Sequence, residues 1–224
     1  LNVDGEAGKE FNNIPLLAKD SLFIFIESTF DVSQTNQLEF LNTDAIHFDT
    51  GDNLQEVQLV SLVKDAVFLL PKKLADGTKE KLNLGLDENG NEITIEGFYL
   101  ADEELSFTPE KPYVIYGYAA VKEAKQLNIA AGTRVHFHKD SGILVESGAS
   151  IQINGELSED QELLEKEVIF EGDRLEANLA EVPGQWGTIW ISPGSTNNTL
   201  NHLTIKNATV GLLVEGDDTL QTPT

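Results

Sequence analysis

Cysteine and methionine are both missing from the 224 residues. Without thiols there is no disulfide framework, no thiolate metal site and no cysteine nucleophile, and the redox compartment cannot be read from the chain. Cations are scarce as well: 15 Lys+Arg face 38 Asp+Glu, a formal charge of −23. Affinity for a phosphate backbone comes mainly from clustered cations that displace counterions, so this balance argues against nucleic acid as a partner. No run approaches the ~18 consecutive apolar residues of a membrane span, and no cationic, apolar, small-residue series marks a signal peptide. A chain that opens at Leu1 and closes on Gln221-Thr222-Pro223-Thr224 reads as a fragment of a longer protein.

What is present is the balance of a folded protein, 40% apolar with 24% charged residues, enough for one large or two modest domains. Turn signals such as Gly51-Asp52-Asn53, Asp76-Gly77, Asn89-Gly90-Asn91, Ala131-Gly132-Thr133 and Pro193-Gly194-Ser195 punctuate short β-rich runs, the pattern of an all-β chain. Asp20 to Glu27 is apolar on both alternating faces, as expected of a central strand covered on each side. Gln55 to Leu70 reads similarly, with a second short run, Ala66 to Leu70, ending at Pro71. Residues 1–71 are therefore assigned to β-sandwich strands. Lys81 to Leu86 and Glu92 to Glu96 flank the turn Asp87 to Asn91 and predict a hairpin, within a connecting segment 72–112.

From Tyr113 onward the pattern repeats. Val121, Leu127 and Ile129 recur 24 residues later as Val145, Ile151 and Ile153, and Gly142-Ile143-Leu144-Val145-Glu146 recurs as Gly211-Leu212-Leu213-Val214-Glu215, 69 residues on, three times 23. Aliphatic pairs at such a period, with Gly and Asn at the turns, predict a parallel β-helix with coils of about 23–24 residues over 113–224, continuing past the C-terminus. The Leu-x-x-Leu-x-Leu-x-x-Asn spacing of a leucine-rich repeat is absent. Ser158 to Lys166 and Asp173 to Gly184 interrupt the coils and are expected to bulge as loops, the first of them able to form a helical turn.

Several blocks together resemble a known family. They are Lys111 to Tyr118, Ala131 to Lys139, Phe170 to Glu176 and Pro183 to Gly187, with Leu1 to Gly5, Lys19 to Glu27 and Gln55 to Val60 upstream. The combination is similar to predicted surface or periplasmic lipoproteins of Bacteroidota-type bacteria. That resemblance implies an immunoglobulin-like sandwich, here partial, followed by a right-handed parallel β-helix. It also implies an outer-membrane location through a lipidated cysteine upstream of Leu1, with further coils beyond Thr224. It brings no catalytic or ligand residues with it.

Three constellations carry possible chemistry. Arg134, His136 and His138 alternate with Val135 and Phe137, so on a strand the three polar residues share one face. Two histidines at i and i+2 can ligate one metal if Glu146 or Asp140 supplies a third ligand, but a lone His-x-His is a common accident, and the favoured reading places these side chains under a bulged loop or in solvent, pairing with surplus carboxylates. Trp186 and Trp190, with Asp173, Arg174 and Glu176 on the loop before them, form the candidate ligand or partner surface. Flat indoles stack on sugars or prolines and Arg gives directional hydrogen bonds, while the competing reading is core cover plus a structural ion pair. On a strand the two tryptophans would share a face. Asp87-x-Asn89-x-Asn91 imitates the start of a calcium loop, but Glu92 and Phe98 stand where such a loop needs Gly and Glu. No resident cofactor is expected, with calcium the runner-up to none. Asn197-Asn198-Thr199 and Asn207-Ala208-Thr209 are formal glycosylation sequons, with Asn207 expected at a coil corner.

Two functions compete. One is a non-enzymatic envelope module that binds outer-membrane or cell-surface proteins or serves as an accessory component of an outer-membrane assembly. The other is a carbohydrate-binding or polysaccharide-degrading β-helix, whose chemistry needs carboxylates converging on one face. The expected outward positions Asn128, Arg134, His136, Gln152, Asn154 and Thr204 hold no carboxylate pair, and Asp217-Asp218 is the only adjacent acidic pair near a coil strand. Binding is thus favoured over catalysis.

Overall fold

The computed structural model describes residues 1–3, 5–27 and 39–216. These residues are almost entirely strand and turn, with only single turns of 3-10 helix at Gly51–Asn53, Asp102–Glu104 and Ala177–Leu179. The chain divides into two compact units, Leu1–Lys64 and Asp65–Thr224.

In the first unit, β1 (Asn2–Val3) pairs antiparallel with β2 (Glu6–Ala7) and β3 (Ile24–Phe25), and β4 (Glu39–Phe48) forms a long hairpin with β5 (Gln55–Lys64). The central strand expected over Asp20–Glu27 shrinks to the two residues of β3. Phe23 and Phe25 remain 76% and 69% exposed, so the run is not covered on both faces.

The second unit begins with β6 (Val67–Leu69), β7 (Lys81–Leu86), β8 (Glu92–Tyr99) and β9 (Ser106–Phe107). It continues with β10 (Tyr113–Ile115), β11 (Tyr118–Val121), β12 (Gln126–Ala130), β13 (Arg134–Phe137), β14 (Gly142–Val145) and β15 (Ser150–Asn154). Last come β16 (Val168–Gly172), β17 (Ile189–Ile191), β18 (Thr199–Asn201), β19 (Leu203–Ile205) and β20 (Leu212–Val214). The chain visits three open, parallel sheets in turn. The first holds β6, β10, β13, β16 and β19, the second β8, β11, β14, β17 and β20, and the third β9, β12, β15 and β18. Strand β7 extends the second sheet antiparallel beside β8, around the turn predicted at Asp87–Asn91.

Register follows the repeat. Val121 pairs with Val145, Leu127 with Ile151 and Ile129 with Ile153, the 24-residue correspondences of the sequence. Their inward side chains, with Ile115, Val135, Phe137, Ile143 and Phe170, are fully buried. Aromatic rings join this column, Phe107 stacking on Tyr113 at 4.1 Å and Phe137 on Trp186 at 4.2 Å. The 69-residue displacement resolves differently from three coils: Val145 pairs with Ile191 and Ile191 with Val214, two ladder steps. The loops at Ser158–Lys166 and Asp173–Gly184, which flank β16, absorb the remaining length.

The boundaries also move. β6 pairs in parallel with β10, β8 with β11 and β9 with β12, so the segment expected to be a linker already belongs to the three-sheet unit, which starts at Asp65 rather than at residue 113. A fully buried isoleucine cut to alanine loses burial and leaves a cavity. Ile151→Ala should therefore lower the stability of the second unit by about 3 kcal/mol in urea unfolding. The exposed Asn128→Ala on a neighbouring strand should change it by less than about 0.5 kcal/mol. Equal effects would contradict the assigned faces.

Candidate functional site

Strand alternation puts Arg134 and His136 on the outer face of the first sheet, between the buried Val135 and Phe137. Arg134 is occupied structurally. Its guanidinium donates to the carbonyls of Leu164 and Glu167, both at 2.7 Å, and so holds the Ser158–Lys166 loop against the sheet. Burial pulls the guanidinium below its usual pKa, while Glu171, Glu167 and Glu165 push it back up. His136 faces its register partner Glu171 at 3.6 Å, and His138 meets Asp173 at 2.6 Å while stacking on Tyr116 at 4.4 Å. The two histidines thus face separate carboxylates instead of converging. Glu146 stands on the second sheet's side, and among the described residues no group of three His, Cys, Asp or Glu could hold a metal ion.

The expected tryptophan surface is split by the fold. Trp186 precedes β17, lies 1% exposed in the core against Phe137, and donates its indole N–H to the Lys206 carbonyl at 2.8 Å. Trp190 lies within β17 between the buried Ile189 and Ile191, and so faces outward. The two rings therefore do not share a face, because the chain reaches Trp186 before strand alternation begins. Asp173 belongs with His138 on the first sheet. Arg174 and Glu176 form an exposed bidentate pair, Nε and Nη2 donating to the carboxylate. The Glu176 carboxylate raises the Arg174 pKa and is itself lowered in return.

Around Trp190 the outer face of the second sheet builds a groove. Pairing of Tyr99 with Ala120, Ala120 with Leu144, Leu144 with Trp190 and Trp190 with Leu213 makes one outward row. Leu82, Tyr118, Ala120 and Leu144 form a small second core there, against which Leu84, Ile95 and Trp190 pack. Tyr118 can lie flat because Gly142 and Gly187 beneath it carry no Cβ; one at Gly142 would strike the Thr188 carbonyl and the Tyr118 ring. This packing buries Ala120 and Leu144 in the middle of the row, while Tyr99 and Leu213 at its ends stay exposed. Beside it lies an open groove of about 570 Å³, lined by Leu84, Leu144 and Trp190 together with Glu123, Glu146 and Glu215.

Two residues past the row, the amides of Glu146, Ser192 and Glu215 continue the ladder onto Val121, Val145 and Ile191. That places the three side chains on the same face as Trp190. Glu146 accepts the Tyr99 hydroxyl at 2.6 Å and the Glu123 amide at 3.3 Å. The indole nitrogen of Trp190 is buried and, among the described residues, meets no hydrogen-bond acceptor. Its exposed surface is therefore ring carbon. The groove was missed in the sequence, yet the repeat of Leu144-Val145-Glu146 as Leu213-Val214-Glu215 had marked two glutamates at equivalent ladder positions.

The turn at Asp87 is closed from within. Its carboxylate accepts the amides of Asn89 and Asn91 at 2.8 Å and the Asn91 side chain at 3.0 Å, which lowers its pKa and accounts for the calcium-like spacing. Asn207 adopts positive φ and ties its side-chain amide to the carbonyls of Ala180 and Val182, pinning the second loop. Asp217 and Asp218 lie outside the described residues. Comparison with protein-family models, curated proteins and solved structures gives no significant match.

Arg134→Met removes charged donors from buried carbonyls and should cost about 1–3 kcal/mol. It should also accelerate glutamate-specific proteolysis within Ser158–Lys166, and an unchanged cleavage rate would contradict the anchoring role. Hydrogen bonding to Glu146, with burial and its charge, pushes the Tyr99 phenol up to about 12. The neutral phenol is favoured in the folded chain, so its stabilisation is present below the ordinary phenol pKa and is lost as pH rises towards 12. In a 295-nm titration, Tyr99→Phe should remove an ionisation near this pH and Glu146→Gln should move it down.

Proposed function

We propose that this chain is a non-enzymatic binding module of the bacterial cell envelope that engages outer-membrane or cell-surface proteins. In this reading residues 65–216 are coils of a right-handed parallel β-helix, and residues 1–64 contribute later strands of an immunoglobulin-like sandwich. The fixed order in which the chain visits three parallel sheets supports the coil assignment. The strong right-handed preference of parallel crossover connections supports its hand.

The observation that carries the binding function is the groove over Trp190, an aromatic ring left partly open on the face of a rigid sheet beside ordered carboxylates. Aromatic residues seated centrally in such depressions are typical anchors for a protein partner. The acid, base and cationic groups singled out in the sequence are meanwhile placed in structural contacts: Arg134 with its loop, His138 with Asp173, and Arg174 with Glu176. The envelope location, with an upstream lipid anchor as the only membrane attachment, rests on the resemblance of the sequence blocks.

A carbohydrate reading has one observation in its favour. On the third sheet Asn128, Gln152 and Thr199 align in one row and Asn154 and Asn201 in another, a neutral amide and hydroxyl ladder able to meet sugar hydroxyls.

Affinity purification of the full-length protein from its native envelope, with and without Trp190→Leu, tests the main reading. Stoichiometric recovery of outer-membrane proteins that falls with the substitution is expected. Recovery of the protein alone, with binding on a neutral polysaccharide array, would overturn it in favour of the glycan reading.

A further inference from the structure

We infer that the groove over Trp190 receives a lysine or arginine side chain from a basic segment of a protein partner, lying along the Glu146–Ser192–Glu215 row. This rests on the protein-binding reading above and names the chemistry that the same surface recognises.

The floor of the groove is hydrocarbon, made by Leu84, Leu144 and the ring carbons of Trp190, whose nitrogen is turned away from solvent. The rim is anionic: Glu123, Glu146 and Glu215 line it, and among the described residues no lysine, arginine or histidine does. A long cationic side chain matches both parts. Its methylenes lie against Leu84, above the buried Leu144, and its charged head lies over the indole face within reach of the carboxylates. Glu146 is held in position beforehand by the Tyr99 hydroxyl and the Glu123 amide, so less order must be imposed when the partner binds.

The same row already shows this arrangement within the chain. The Lys122 ammonium stands 5.8 Å from the centroid of the Tyr99 ring, whose hydroxyl donates to Glu146. Tyr99 and Trp190 belong to one outward row, and among the described residues no cation stands over Trp190. A partner's cation would complete there what Lys122 completes at Tyr99. The formal charge of −23 favours the approach of a basic segment and disfavours an acidic glycan.

Fluorescein-labelled octa-arginine, titrated against the full chain and followed by anisotropy, tests the inference. Trp190→Leu and the pair Glu146→Gln with Glu215→Gln should each weaken binding by about tenfold or more. The pair Glu156→Gln with Glu159→Gln, which removes the same charge from a distant loop, should leave binding within about twofold. Equal losses in both double variants would reduce the interaction to diffuse attraction by the acidic chain and overturn the proposal. So would an unchanged affinity of Trp190→Leu, or protection of Trp190 from quenching by cellohexaose rather than by octa-arginine. If octa-arginine fails while outer-membrane proteins are still recovered by affinity purification in a Trp190-dependent manner, this inference falls and the binding-module reading stands.

Discussion

Parallel, in-register stacking of each strand on the strand one circuit earlier is the constraint on which the second unit depends. It brings like positions together, so an aliphatic residue placed inward once must be matched at each following circuit. Ile143 is followed by Ile189, Ile151 lies beside Leu127, and Phe170 follows Val135. Because each inward row is desolvated as a column, exchanging one member leaves a void next to its neighbours in the stack. Inserted length can leave only where the chain passes between sheets. Both long loops do so, at the two ends of β16, and each is fastened back by hydrogen bonds from elsewhere in the unit. Arg134 serves the first loop, and Gln185 and Asn207 the second.

The outer faces are free of that demand and have diverged. The first sheet carries histidine–carboxylate pairs, the third an amide ladder, and the second an apolar patch partly covered by packing from Leu82 and Leu84 of β7. Glycines at 142 and 187 let Tyr118 lie close to the sheet, within the packing that buries Ala120 and Leu144. The patch stays partly open at Trp190. The binding surface is thus a remainder of the packing: a ring large enough to help close the small outer core yet not fully covered by it. Its neighbouring glutamates owe their alignment to the same ladder that aligns the core.

Much of the second unit was legible in the sequence because stacking writes itself as a period. The matches of Val121, Leu127 and Ile129 with Val145, Ile151 and Ile153 are ladder pairs, and both loops and the Asp87 turn fall where turn chemistry put them. What escaped was whatever the period does not encode. The residues inserted in the two loops around β16 made two ladder steps look like three. The early strands β6, β8 and β9 carry too few aliphatic matches to show that they open the stack. Trp186 and Trp190 were assigned one face from their spacing, but only Trp190 lies in a strand, so alternation does not apply to both. In the first unit an apolar run suggested a covered strand, whereas burial depends on partners that spacing cannot supply.

Because the chain has no cysteine of its own, the stacking can be tested by paired cysteines without background. Asn128 and Gln152 are partners on adjacent strands, and Thr199 stands one strand further along the same row. Adjacent partners lie about 4.8 Å apart, within reach of a disulfide, whereas positions two strands apart are not. Parallel in-register stacking should give rapid oxidative cross-linking of Asn128→Cys with Gln152→Cys and none of Asn128→Cys with Thr199→Cys. Equal cross-linking of both pairs, or of neither, would contradict that stacking.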